Sequence, residues 1–171
     1  MDYREELKER QTGLRGLVAK IPGFKGYSEK ELRREADKLL RTYLAERFQE
    51  QRGRLGEVQV LLARSKRIEV VGDIDRAMTK LQRLIDRLKT ASYGYAGWFD
   101  AVAVRTEELD RLYQFDYTLV AGVEELTSGV ESLAQAAKSA EDLGMTTAAL
   151  AELLERLNQT LDRRSEALFE Q

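Results

Sequence analysis

Two residue types that carry much of protein chemistry, cysteine and histidine, are both absent from this 171-residue chain. Their absence rules out disulfides, catalytic thiols, histidine-based triads and zinc-finger sites. It also rules out the Glu-x-x-His pairs of di-iron helical bundles. Carboxylates remain. Carboxylates such as Asp86, Asp100 and Asp116 lie near the densest cluster of aromatics, and Asp100 and Asp116 could sit together there. Paired carboxylates do acid–base work only in a cleft where burial moves one pKa. Most carboxylates on helices are solvated faces, so a non-catalytic protein with no cofactor is expected.

Seven of the 13 aromatic residues fall between 93 and 117: Tyr93, Tyr95, Trp98, Phe99, Tyr113, Phe115 and Tyr117. If the chain reverses near Arg105, Phe99 comes close to Leu112, Tyr95 to Phe115 and Tyr93 to Tyr117. The simpler expectation is an aromatic plug closing one end of a helical bundle. The sharper one is a pocket for a small molecule or peptide, with tyrosine hydroxyls as polar handles. Phe24 and Tyr27, in a loop near the start of the chain, join the candidate interaction residues.

The elements that position these residues are helices. The chain has one proline, 34% charged residues and 43% hydrophobic residues, a mixture suited to long amphipathic helices. Residues 2–20 read as a short helix weakened by Gly13 and Gly16. Ile21-Pro22-Gly23-Phe24-Lys25-Gly26-Tyr27 is the clearest loop. Ser28 followed by Glu31 has capping-box spacing and opens a helix over about residues 29–64. From Leu44 its stripe runs Phe48, Gln51, Leu55, Val58, Leu62, the three-and-four rhythm of coiled-coil-like packing.

A break at 65–72 contains Ile68, Val70 and Val71, which should pack down. Asp73 is the expected N-cap of a helix over 73–103. Thr106 should open the next, over 106–140, with the stripe Leu109, Leu112, Phe115, Leu119, Val123, Leu126, Val130 and Leu133. No glycine or proline marks the turn at 104–106, so a continuous rod through it is the competing expectation. The last helix should span 147–169 and fray beyond Thr160, where charges crowd. The resulting fold class is all-α: an antiparallel up-down-up-down four-helix bundle over 28–171, with 1–27 as an N-terminal appendage.

Charge is uneven. Residues 1–70 hold 17 Lys and Arg against 12 Asp and Glu, and residues 106–171 hold 5 against 14. The basic front and acidic rear either pair within one molecule or join copies head to tail. Arg33, Arg34, Arg41, Arg47, Arg52, Arg54 and Arg64 are interleaved with acidic residues, which speaks against nucleic acid as a partner, since phosphate binding needs a nearly unopposed basic face. Residues 1–27 combine Leu14, Leu17, Val18, Ile21 and Phe24 with basic residues, so a peripheral membrane adaptor is an alternative, opposed by Glu5, Glu6 and Glu9. Glycines recur in pairs within helices: Gly53 with Gly56, Gly94 with Gly97, and Gly122 with Gly129. Close helix packing is their expected role, ahead of hinging. The first eight residues are charged rather than apolar and no run could span a bilayer, so a cytoplasmic location is the default.

Two stretches carry a resemblance: Ile21–Tyr27 leading into Ser28-Glu29-Lys30-Glu31-Leu32-Arg33-Arg34-Glu35-Ala36-Asp37, and Tyr93-Gly94-Tyr95-Ala96-Gly97-Trp98-Phe99-Asp100. Together they resemble a family of uncharacterised bacterial helical proteins of about this length. That resemblance implies no activity, substrate or site. The function expected from the residues is a structural or interaction protein that self-associates or docks on a protein partner.

Overall fold

Hydrophobic side chains recur at helical spacing over most of the chain, and the computed structural model is accordingly all-helical. It describes residues 3–91, 104–139 and 141–169. Among the described residues five α-helices pack against one another: α1 (Tyr3–Lys20), α2 (Arg33–Arg64), α3 (Ile68–Thr90), α4 (Thr106–Ala137) and α5 (Gly144–Phe169). The contacting pairs are α2 with α3, α4 with α5, α3 with α5, α2 with α4, and α1 with α4. No helix among the described residues is long and apolar enough to cross a membrane.

Side-chain bonds fix the directions. Arg41 reaches the Leu88 carbonyl and Gln59 reaches that of Val71, so α2 and α3 are antiparallel. Arg164 meets Asp116 and Arg156 meets Glu125, so α4 and α5 are antiparallel too. Lys80 pairs with Glu155 and Arg87 with Asp162, which makes α3 and α5 parallel neighbours. Arg54 pairs with Glu131 of α4. Arg67, just before α3, donates to the carbonyls of Ser139 (3.1 Å) and Glu141 (2.6 Å), just beyond α4. The start of α3 therefore lies beside the end of α4, and the two helices run in opposite directions. A continuous rod through 104–106 is excluded.

Part of the charge asymmetry is paired within one molecule. Lys20–Glu124 and Arg54–Glu131 join the basic front to the acidic rear within one molecule, and Lys80–Glu155 and Arg87–Asp162 join α3 to the same acidic rear. All are partly or largely solvated, so water and salt screen them and they add little to stability.

Several boundaries differ from expectation. Ser28 does not cap α2. Residues 30–32 form a 3₁₀ turn and α2 begins at Arg33 without a side-chain cap. Leu32 N–H bonds to the Glu29 carbonyl, while the Arg33 side chain turns back to the Tyr27 carbonyl. Helix α3 begins at Ile68 instead of Asp73, because folding 68–72 into the helix puts Val70 and Ile74 on one buried stripe. Helix α5 starts at Gly144, three residues early. Thr147, the expected cap, sits in its first turn with its hydroxyl on the Leu143 carbonyl. The far end of α5 does not fray among the described residues: Leu161, Arg164 and Leu168 are all buried. The expected end of the second long helix, at 103, lies outside the described residues.

One core joins all five helices, with Leu44, Phe48, Leu55, Leu81, Leu84, Leu119, Leu126, Leu133, Leu154 and Leu157 nearly or wholly buried. Leu17, Ile21, Phe24 and Tyr27 belong to the same cluster. Two glycines of α4 show why the α4–α5 approach is close. A Cβ on Gly129 would stand 2.6 Å from Leu150, and one on Gly122 would collide with Leu157. Gly53 has nothing within 4 Å and Gly56 meets only Met78, so that pair seats no helix. Gly94 and Gly97 lie outside the described residues.

Candidate functional site

The most chemically loaded place in the molecule begins at the loop after α1. Gly23 and Gly26 adopt φ of 82° and 88°, conformations that L side chains rarely take. Gly26 is also tight sterically, since a Cβ there would approach the Tyr113 hydroxyl to 2.6 Å. The loop folds back on α4 and delivers Tyr27 to the interior. The Tyr27 ring stacks on Tyr113 at 5.5 Å between centroids and meets the Phe24 ring edge-on at 5.6 Å. Its backbone N–H donates to the Tyr113 hydroxyl oxygen at 2.8 Å. Its own hydroxyl donates to Asp116 Oδ2 at 2.5 Å.

Beyond Tyr27 lies a buried ionic cluster. Arg164 of α5 is 0% exposed. Its Nε donates to Asp116 Oδ1 at 2.7 Å and its Nη2 to Asp37 Oδ1 at 2.6 Å. Asp37 Oδ2 accepts from Arg41 Nε at 2.7 Å, and Arg41 Nη1 donates to the Leu88 carbonyl at 2.7 Å. Arg33 Nε donates to the Tyr27 carbonyl at 2.9 Å. One connected set of bonds thus links the loop, α2, α3, α4 and α5.

Burial makes each member sensitive to its partners. Desolvation pushes the Asp116 carboxyl above the usual range, against the pull of Arg164 and of its hydrogen bonds. Desolvation also pushes the Tyr27 hydroxyl well above 10, and the Asp116 charge adds to it. Tyr27 is therefore a neutral donor through the whole physiological range. All four carboxylate oxygens of Asp37 and Asp116 already accept a bond. Chemically the arrangement is a clamp: two buried carboxylates share one guanidinium, and a phenol completes the shell.

Of the nine aromatic residues singled out from sequence, the fold brings Phe24, Tyr27 and Tyr113 together. Phe115 is half-buried. Tyr117 is 37% exposed and packs against Gly16. Tyr93, Tyr95, Trp98 and Phe99 lie outside the described residues, as does Asp100. Among the described residues no group of three or more Asp and Glu is arranged to hold a metal ion.

Sequence reasoning missed the cluster, although a signal was present. In α4 the buried positions run 112, 116, 119, 123, 126, 130, 133, 137, a strict three-and-four rhythm, and Asp116 stands on it. Phe115, one residue off, was preferred because it is apolar. Arg164 occupies the equivalent position between the buried Leu161 and Leu168. Asp37 follows the buried Arg33 by four residues. Single charges of opposite sign standing in register on the apolar stripes of α4 and α5, with the row Arg33, Asp37 and Arg41 on α2, mark an internal ion cluster.

A groove of about 800 Å³ runs along the outside of α2 beside the end of α3, with Asp37 and Arg41 at its floor. Comparison with known proteins returns no match: no family model, no curated protein and no solved structure is similar to the chain.

Proposed function

We propose that this is a non-catalytic interaction protein: an up-down-up-down four-helix bundle of α2–α5, braced by α1, that docks on a protein partner. The antiparallel pairs α2–α3 and α4–α5, packed side by side, support the bundle reading. The observation that carries the functional reading is the end of the molecule formed by the α2–α3 and α4–α5 turns. There Ile68 is 71% exposed, Met145 85%, Val60 50% and Leu61 38%. Single exposed apolar residues are ordinary. Four large ones at one end, against Val18 and Tyr117 elsewhere among the described residues, favour a covered surface.

The membrane-adaptor reading needs an apolar face on residues 1–27 open to lipid. Leu17, Ile21 and Phe24 are buried against the protein instead, which favours docking on the chain itself. The pocket reading finds Tyr27 and Tyr113 stacked on one another, which favours a packed aromatic cluster.

The test is the double substitution Ile68→Lys with Met145→Lys. Both side chains are exposed, so the thermal midpoint should hold or rise. Quantitative pull-down and light scattering are then compared for the two chains. Loss of an interaction that the unsubstituted chain makes is the expected outcome. Identical interaction profiles for both chains would sink the reading.

A further inference from the structure

A second groove, of about 750 Å³, runs between α4 and α5 and opens onto the apolar end. Ser128, Gly129 and Ser132 line it from α4, and Met145, Ala149 and Leu153 from α5. Most of these side chains are short, which leaves the space between the helices. Met145, 85% exposed, stands at the mouth. From Met145 to Arg156 the groove follows α5 for about 16 Å, roughly three helical turns. Met145, Ala149, Glu152 and Arg156 fall within about 60° of one line along α5, because steps of four, three and four residues return nearly to one direction.

Charge at the rim is one-sided. Glu124 pairs with Lys20, and Glu125 with Arg156 across the groove, so these four cancel. Glu141 and Asp142, just before α5, and Glu152, one heptad beyond Met145, are exposed and pair with no cation among the described residues. Asp142 has a local task, since it accepts from the Gly144 N–H at the start of α5. The Glu141 and Glu152 carboxylates have none.

We infer, building on the reading of the apolar end as a docking surface, that this groove seats a short amphipathic helix of a protein partner whose flanking residues are basic. A helix lays an apolar face into such a groove through side chains three and four residues apart. The methionine at the mouth adapts to apolar side chains of different shape. The unpaired carboxylates attract lysine and arginine on the flanks and repel an acidic helix, most strongly at low salt. A second copy docking through this face would set one acidic rear against another, with 14 Asp and Glu against 5 Lys and Arg over 106–171 on each side.

The probe is a labelled synthetic helix of about four turns, with leucine at every third or fourth position and lysine on both flanks. A matched peptide carries glutamate for each lysine. The full chain should bind the lysine peptide one to one and at least about tenfold more tightly than the glutamate peptide by fluorescence anisotropy, with the gap narrowing as salt is added. Glu141→Lys with Glu152→Lys should weaken binding at least about tenfold. The same charge change on α2, Glu46→Lys with Glu57→Lys, should leave it within about threefold. Ala149→Trp, at an exposed position in the groove, fills the seat and should abolish binding while circular dichroism stays that of the parent.

Equal affinity for the two peptides overturns the proposal. So do equal losses from the groove pair and the α2 pair, or binding undisturbed by Ala149→Trp. Ile68 lies outside the groove, so the two readings fail separately. A partner interaction lost in the Ile68→Lys with Met145→Lys chain, beside a parent that binds neither peptide, would remove the groove and leave the apolar end standing.

Discussion

The two ends of the molecule handle their unusual residues in opposite ways. At one end, charges that normally face water are sealed inside: Asp37, Asp116 and Arg164 are each no more than 1% exposed. At the other, residues that normally seek the core, Ile68 and Met145, stand in solvent. At the sealed end each oxygen of Asp37 and Asp116 and the Tyr27 hydroxyl has a hydrogen-bond partner. The open end leaves large apolar side chains in contact with water. A protein that invests its polar specificity in its own interior is fixing its register, whereas one that leaves apolar surface uncovered is offering it.

The largest expected effect comes from breaking the sealed end. Arg164→Ala leaves two buried carboxylates without their shared cation and should cost about 3–5 kcal/mol in urea unfolding. Ile68→Ala, at the open end, should change stability by less than about 0.5 kcal/mol. Equal effects at the two ends would dissolve the contrast. A sharper form replaces the cluster altogether, with Asp37→Leu, Arg41→Met, Asp116→Leu and Arg164→Met in one chain, since Arg41 is the other buried cation on Asp37. Because that substitution leaves no charge orphaned, stability should be unchanged or up to about 4 kcal/mol higher. If so, the cluster serves register more than stability.

Next in size is steric. Gly122→Ala drives a methyl into Leu157 and should cost about 1–3 kcal/mol. Gly53→Ala meets nothing within 4 Å and should gain up to about 1 kcal/mol in the same assay. The two glycines look alike in sequence, and the pair of measurements separates a helix seat from an open position.

A pH effect isolates Tyr27. Its folded pKa is raised above 10, the unfolded value. Below pH 10 both states hold the proton and the contribution to stability is full. As pH rises above 10 the unfolded chain releases the proton while the folded chain keeps it, so stability falls until the folded pKa is passed. Tyr27→Phe should lower stability at neutral pH by about 1–3 kcal/mol, because Asp116 loses a donor. It should also flatten the alkaline limb. An unchanged slope above pH 10 would show that Tyr27 does not titrate as the buried geometry requires.

The smallest effect lies at the open end. Lys66 takes a φ of 62° just after α2, where its N–H and that of Arg67 bond back to Ala63 and Leu62. This is the left-handed helix stop usually given to glycine. Lys66→Gly should gain roughly 0.5–1 kcal/mol, seen as a small rise in the thermal midpoint.

The helical class was legible because stripes such as Leu44, Phe48, Gln51, Leu55, Val58 and Leu62 repeat with one period and are buried as read. Helix starts were less legible. Ser28, Asp73 and Thr147 all have capping chemistry, yet tertiary packing chose other starts for their helices. The cap at Thr106 was nearly right: α4 begins there, and the Glu108 carboxylate accepts from the Arg105 N–H. The ionic cluster stayed hidden because its members are spread from residue 27 to residue 164. Spacing within a helix shows which face a charge occupies, not which charge on another helix completes it. Tyr27 was noticed as an aromatic, but its partner at Asp116 depends on how the Gly23–Gly26 loop turns.

That spread also bears on the order of assembly. During synthesis Asp37 and Asp116 emerge long before Arg164, their common counterion, which follows Asp37 by 127 residues. Asp37 has a second cation, Arg41, in its own helix, whereas the cation that Asp116 meets is Arg164. Closing the first four helices before α5 arrives would bury the Asp116 carboxylate without that cation, which opposes early closure. Closure becomes a single late event gated by one arginine, which couples the ends of the chain into one cooperative unit and disfavours a stable partly folded form.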